Sequence, residues 1–280
     1  MMRLQRFTDA AAFLLRAEEW LLRAEAENNL ILGLSRRHRT PRPGEAPIYL
    51  AVIEQHGTIK GCAFRTPPWK VGLTRMPTEA VKALVADLSE MYEEISGVLG
   101  PEEETRGFAS LWSDLRGTPA RLARRQAIYE LERVTAPANR PGGRLRVATC
   151  DDLDVALDWG GAFVRETGVD NQNFGPAIEE KIGAGELWLW DDGQPRSMAA
   201  RGSSTRNGSR VNWVFTPGEW RGRGYASACV AALSQAILDE GLRFCFLYTD
   251  LSNPTSNALY QRIGYEHVCD VVDYGFESIG

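Results

Sequence analysis

The sequence predicts an α+β fold: an α/β mixed sheet, twisted, flanked by helices and built as two tandem copies. Three observations predict it. Strand-like and helix-like segments alternate along both halves, a Pro/Gly-rich break (TAPANRPGG, 135–143) separates them, and the order of segments in the first half repeats in the second. The expected division is a first domain over 1–135, a linker over 136–143 and a second domain over 144–280. With 280 residues, 44% hydrophobic and 25% charged, the chain has material for two cores.

In the first half, residues 7–34 read as an amphipathic helix. IYLAVIEQ (48–55) and TIKGCAFRT (58–66) read as a hairpin around His56-Gly57, and KVGLTRM (70–76) as a third strand. TEAVKALVADLSEMYEEI (78–95) is helical, SGVLG (96–100) a short strand, EEETRGFASLWSDLRG (102–117) a helix and RQAIYELERV (125–134) a strand. In the second half, RLRVAT (144–149) is a strand and 151–168 a helix with Asp151 or Asp152 available as its cap. A helix over 174–185 precedes three hairpin-linked strands, 186–192, 196–204 and 210–216. After a glycine-rich turn come a helix (225–241), the apolar strand FCFLYTD (244–250), a short helix (253–265) and a last strand (267–277). Trp188 and Trp190 alternate with Leu187 and Leu189, which places both indoles on one side of their strand, most simply in the core.

Composition excludes several classes. The net charge of −5 divides unevenly: 1–143 holds 20 Lys+Arg against 18 Asp+Glu, and 144–280 holds 12 against 19. A nucleic-acid binder needs clustered basic charge, so that class loses ground, while a cationic substrate gains. Cys62, Cys150, Cys229, Cys245 and Cys269 are odd in number and never spaced C-x-x-C, which suits buried small hydrophobes better than disulfides or zinc. With only His38, His56 and His267, no metal site and no Ser-His-Asp triad is expected. The first 29 residues carry charge in every turn, unlike a signal peptide or a membrane span of about 20 apolar residues. The expectation is a soluble cytoplasmic protein that binds neither membrane nor nucleic acid.

The informative stretch is FTPGEWRGRGYASACVAAL (215–233). A strand, then glycines at 222 and 224, then a helix places free backbone N–H groups at a helix N-terminus, an anion cradle to which Arg221 and Arg223 add charge. It is neither a Walker A loop nor a G-x-G-x-x-G turn with an acidic ribose anchor, and a diphosphate is its natural guest. Downstream, NPTSNALYQRIGY (253–265) supplies Asn253, Ser256 and Asn257 as polar groups and Tyr260 as a phenol able to donate a proton. Read singly, Asn253 and Ser256 are equally helix caps and Tyr260 equally a packing residue.

Together these motifs resemble the GNAT superfamily of N-acetyltransferases, whose R-x-x-G-x-[GA] pattern stands here as Arg221-Gly222-Arg223-Gly224-Tyr225-Ala226. The resemblance implies a mixed sheet whose fourth and fifth strands, here 210–216 and 244–250, splay to admit the cofactor arm. It implies acetyl-CoA as cosubstrate, with backbone groups of Val214, Phe215 and Thr216 on the pantetheine, Arg221 through Ala226 on the pyrophosphate, and Asn253 beside the arm. Ser256 is grouped with these cofactor-binding residues. Tyr260 matches the general acid that protonates the departing thiolate. The implied reaction is direct attack of a neutral primary amine on the thioester. Relatives often carry a glutamate base on the fourth strand, where this chain has Asn212 and Trp213, so the base is unassigned; Glu219 and Asp250 read as a loop charge and a structural residue. The first half has RMPTEAVKAL at the corresponding junction and no arginine-glycine cradle. The acceptor is an amine on a small molecule or a protein, such as a polyamine, an aminoglycoside or a lysine side chain. A non-catalytic acyl-CoA-binding or sensing module is the alternative.

Overall fold

The computed structural model describes residues 2–37, 47–168 and 174–277; His38 lies outside them. The chain forms two compact units. Unit 1 comprises 1–128, 249–252 and 268–280, and unit 2 comprises 129–248 and 253–267.

Unit 1 begins with β1 (Met2–Phe7), α1 (Ala10–Leu21) and α2 (Asn29–Arg37). It continues through β2 (Tyr49–Gln55), β3 (Thr58–Arg65), β4 (Val71–Leu73), α3 (Thr78–Met91), β5 (Gly97–Pro101), α4 (Glu102–Arg116) and β6 (Ala120–Leu131). The single helix expected over 7–34 is therefore two. Asp9 caps α1 by accepting the N–H groups of Ala11 and Ala12, and the buried Asn28 amide donates to Leu21 O at 3.0 Å across the break between the helices. The preceding strand β1 pairs antiparallel with β2, which no local signal marked. Phe13, Leu21, Ile31 and Leu32 pack on one face of the sheet, and Leu84, Leu88, Phe108 and Trp112 on the other.

Unit 2 holds β7 (Arg144–Val147), α5 (Leu153–Thr167), α6 (Phe174–Gly183), β8 (Leu187–Asp191), β9 (Pro195–Ser204) and β10 (Gly208–Phe215). Then follow α7 (Tyr225–Asp239), β11 (Phe244–Asp250), α8 (Pro254–Arg262) and β12 (Glu266–Phe276), of which the end of β11 from Thr249 and β12 from Val268 onward belong to unit 1. The order β-α-α-β-β-β-α-β-α-β thus occurs twice, as expected. The contact division differs from a single cut at 136–143 because most of β12 pairs antiparallel with β5, Val271 opposite Pro101 through Gly275 opposite Gly97. The last strand of the chain therefore completes the sheet of unit 1.

In unit 2, Leu187, Leu189, Met198, Ala200 and Phe215 face α5 and α6 in one core. Trp190 is buried on the other side of β8 and donates its indole N–H to Gly142 O at 2.8 Å. Of the cysteines, Cys62, Cys229, Cys245 and Cys269 are buried, and burial pushes the thiols of the last three up to about 12. Cys150 is exposed, contrary to the core reading.

The start of α5 also differs from expectation. A 3-10 turn over Cys150–Asp152, capped by Thr149, precedes it; Asp152 stands at the N-cap of α5 as one of the two expected residues, but its side chain makes no cap bond there and instead accepts the Thr149 N–H at 2.8 Å. Asp152 also takes both terminal nitrogens of Arg146 at 2.7 and 2.8 Å. These bonds, the guanidinium first, hold its carboxyl below the usual aspartate range. Because the folded pKa is depressed, the stabilisation is full above the unfolded value near 3.9 and is lost as pH falls through the folded value. Asp152→Asn is expected to cost about 1–3 kcal/mol at pH 7. Urea titrations at pH 7 and pH 3 should show the wild type and the variant converging at the lower pH.

Candidate functional site

The site grows from β10. Its parallel ladder with β11 holds only Gly208–Phe244, Ser209–Cys245 and Arg210–Phe246, so residues 211–215 have no ladder partner on β11. On its other side, the register with β9 slips between Asn212 and Phe215. The slip is a bulge centred on Trp213, whose φ of +51° is uncommon for a residue with a side chain. The Trp213 ring is held 4.5 Å from that of Phe174, and Lys181 Nζ lies 5.5 Å from its centroid.

The bulge decides which backbone groups are open. Phe215 O accepts the Ser197 hydroxyl at 3.1 Å and Thr216 O accepts Arg221 Nε at 2.8 Å, while the Thr216 hydroxyl meets Ser197 Oγ at 2.9 Å. Val214 lies in the skipped part of the register. Asn212 sits opposite Ala200 and so shares its face toward α5 and α6, and its Oδ1 is buried without a hydrogen-bond partner.

The turn after β10 is shaped by its glycines. Gly222 and Gly224 have φ of +74° and +86°, the left-handed region that glycine enters freely. Gly224 starts α7 with no side-chain cap, and the first backbone bond into the helix is Ala228 N–H to Gly224 O at 2.9 Å. The N–H groups of Tyr225, Ala226 and Ser227 therefore point out of the helix end, available to an anion. A side chain at 224 would meet Asn139 O at 2.8 Å, so the 139–141 segment flanks the turn. Arg221 is half exposed, and its terminal nitrogen contacts both Glu166 oxygens, at 2.6 and 2.8 Å. Arg223 lies over Trp220, its Cζ 4.9 Å from the ring centroid. Tyr225 donates to Asp192 at 2.9 Å, and that bond raises the phenol's pKa. Glu219 is an exposed residue of the 3-10 turn over Gly218–Trp220.

Asn253 caps α8, accepting Ser256 N–H at 3.1 Å, and its side chain is exposed. Tyr260 is the buried residue of α8, its ring edge-on to Tyr265 at 5.9 Å. Burial pushes its phenol up to about 12, so the hydroxyl keeps its proton throughout the physiological range. Asp250 accepts the Ser252 N–H and hydroxyl at 2.8 and 2.6 Å, which fits a structural turn. At the matching junction of unit 1, α3 starts at Thr78 after Pro77 with no positive φ from 74 to 77, and Met76 N–H already donates to Glu104 at 3.2 Å.

Glu166, Ser197 and the 139–141 segment escaped the sequence reading. Glu166 lies 55 residues from Arg221, and no local pattern records such a pairing. No helix of the described residues is long and apolar enough to cross a membrane, and none of their His, Cys, Asp and Glu side chains group as a metal site.

Residues 192–272 match the family model of FR47-like proteins. An acetyltransferase from the GNAT family of Colwellia psychrerythraea is similar over 98% of this chain and 100% of its own, at 12% identity and a TM-score of 0.61. A Drosophila protein is similar over 99% of both chains at 13% identity and a TM-score of 0.69. A tandem GNAT protein from the clavulanic acid biosynthesis pathway is similar over 100% of this chain and 99% of its own, at 12% identity and a TM-score of 0.54. Among curated proteins none matches by sequence. The fold of the chain is similar to that of GNAT acetyltransferases, a tandem GNAT protein among them. Within it, the segment carrying the glycine turn, α7, β11 and α8 is FR47-like in sequence.

Proposed function

We propose that the chain is an N-acetyltransferase that moves the acetyl group of acetyl-CoA directly to a primary amine, with the cosubstrate held by unit 2. The observation that carries this is the short β10–β11 ladder, three residue pairs long, leading into a two-glycine turn and an uncapped helix. Bound there, acetyl-CoA supplies the acyl thioester. The turn fits its diphosphate: open N–H groups at α7, no Cβ at 222 or 224, and a guanidinium at Arg221. Val214, skipped by the β9 register, is the strand residue with backbone groups open to the cofactor arm, since the Phe215 and Thr216 carbonyls are taken. Asn253 and Ser256 offer their remaining amide N–H and hydroxyl groups. Tyr260 holds the proton for the departing sulfur.

On the acceptor side, the unpartnered Asn212 Oδ1 accepts an N–H of the incoming amine, an acceptor function without a base. The acidic balance of 144–280 favours a cationic small molecule or protein amine over nucleic acid. A cytoplasmic setting suits such a substrate. Unit 1, with Glu104 already on the Met76 N–H, takes no cofactor. Calorimetric titration with acetyl-CoA, followed by acetyl transfer to a panel of amines, tests the reading; no binding overturns it. The amide at 212 in place of a carboxylate favours one alternative, a non-catalytic acyl-CoA-binding module, for which binding without transfer to any amine is expected.

Glu166 competes with the diphosphate for Arg221. The pair is half exposed, so it is worth less than about 1 kcal/mol, and Glu166→Gln is expected to tighten acetyl-CoA binding by up to about fivefold. The gain should shrink as salt rises, because surface charge is screened. Weaker binding in the variant would show instead that Glu166 buttresses Arg221.

A further inference from the structure

Eleven arginines of the described residues form ion pairs with carboxylates: Arg6, Arg16, Arg36, Arg75, Arg106, Arg121, Arg125, Arg146, Arg201, Arg221 and Arg243. Two arginines beside the glycine turn share an aromatic ring instead. Arg196 Cζ lies 3.6 Å and Arg223 Cζ 4.9 Å from the centroid of the same indole, Trp220. Neither guanidinium has a carboxylate partner among the described residues. Arg196 reaches Asp192 O at 3.3 Å, and the Gln194 amide, oriented with its oxygen inward, at 2.7 and 3.1 Å. Its Nε is buried with no acceptor. The Asp192 carboxylate accepts the Tyr225 hydroxyl at 2.9 Å, and Tyr225 is itself edge-on to Trp220 at 6.3 Å.

We propose that Arg196 and Arg223, stacked on Trp220, form a phosphomonoester site that takes the ribose 3′-phosphate of coenzyme A. This rests on the acetyl-CoA reading above. The N–H groups of the turn and Arg221 account for the diphosphate, and Arg221 is drawn toward Thr216 and Glu166. The Arg223 backbone stays with that turn, but its guanidinium turns to Trp220, where the β8–β9 hairpin brings Arg196. Coenzyme A carries one further anion, a phosphomonoester of about −1.5 to −2 at neutral pH. Two guanidiniums fixed by one aromatic ring are pre-organised for such an anion and lose little side-chain entropy on meeting it. The unused Arg196 Nε then gains its acceptor.

The test is calorimetric titration of the full chain with coenzyme A and with 3′-dephospho-coenzyme A, for the wild type, Arg196→Gln and Arg223→Gln. Thermal melts confirm that each variant folds. The wild type is expected to bind coenzyme A about tenfold or more tightly than the dephospho form, and the ratio should fall toward one in both variants. Equal affinities in the wild type, or a ratio unchanged in the variants, overturns the site while leaving the acetyl-CoA reading intact. No binding of either ligand to the wild type overturns both.

Discussion

Gly224→Val is expected to reduce acetyl-CoA binding by about a hundredfold or more. Two costs act at once. A φ of +86° is poor for any residue with a Cβ and worse for a branched one, and the new Cβ would sit 2.8 Å from Asn139 O. The turn must reshape or push away the 139–141 segment, and either response moves the N–H groups at the start of α7. Gly222→Ala is the graded comparison: its φ is +74° but its Cβ would meet nothing within 4 Å, so only the backbone term applies, about 1 kcal/mol or a few-fold in affinity. Gly241→Ala, also at positive φ with open space but beyond the far end of α7, should lower stability while leaving binding unchanged. Calorimetry and thermal melts on the three variants separate loss of the cradle from loss of the fold. Equal affinity in the wild type and Gly224→Val would remove the turn from the cofactor site.

What could be read from the chain follows the range of the interaction that fixes each feature. The glycine turn, the hairpin at His56-Gly57 and the helix opened by Asn253-Pro254 are local, set by allowed φ values and near-neighbour caps, and they stand where expected. β1 is a strand because β2 pairs with it, and the helix expected over 7–34 breaks where Asn28 reaches back to Leu21. Placing β12 against β5 needs a contact across about 170 residues, which periodicity does not encode. The same holds in the site. The turn and Tyr260 are visible in sequence, whereas the Trp213 bulge, the Glu166–Arg221 pair and the Arg196–Trp220 stack depend on which strands become neighbours. Asn253 shows the limit of motif reading from the other side: its carbonyl oxygen is used as a helix cap, so only its amide N–H groups remain for a ligand.

Tyr260→Phe should leave acetyl-CoA affinity nearly unchanged and lower kcat by about 10²–10³. The ring stays, so the edge-on contact with Tyr265 is kept, and the Tyr260 hydroxyl makes no hydrogen bond to the described residues whose loss would unsettle α8. Burial holds the phenol at about 12, so its proton is present throughout the physiological range. The same shift limits what the group does. The thiolate of an ordinary thiol, pKa near 8.5, is a weaker base than this phenolate, so in the proposed reaction the hydroxyl would stabilise the departing sulfur by donating a hydrogen bond more than by surrendering its proton outright. Two consequences separate Tyr260 from a merely structural residue. The alkaline side of the wild-type kcat profile should show no fall near 10, the ordinary tyrosine value, because a raised pKa keeps the protonated form through that range. The defect in Tyr260→Phe should also shrink when the acyl donor is a thioester of a more acidic thiol, which needs less help to leave. A variant with full kcat would end Tyr260's catalytic role, and one with impaired cofactor binding would make it a packing residue of the site.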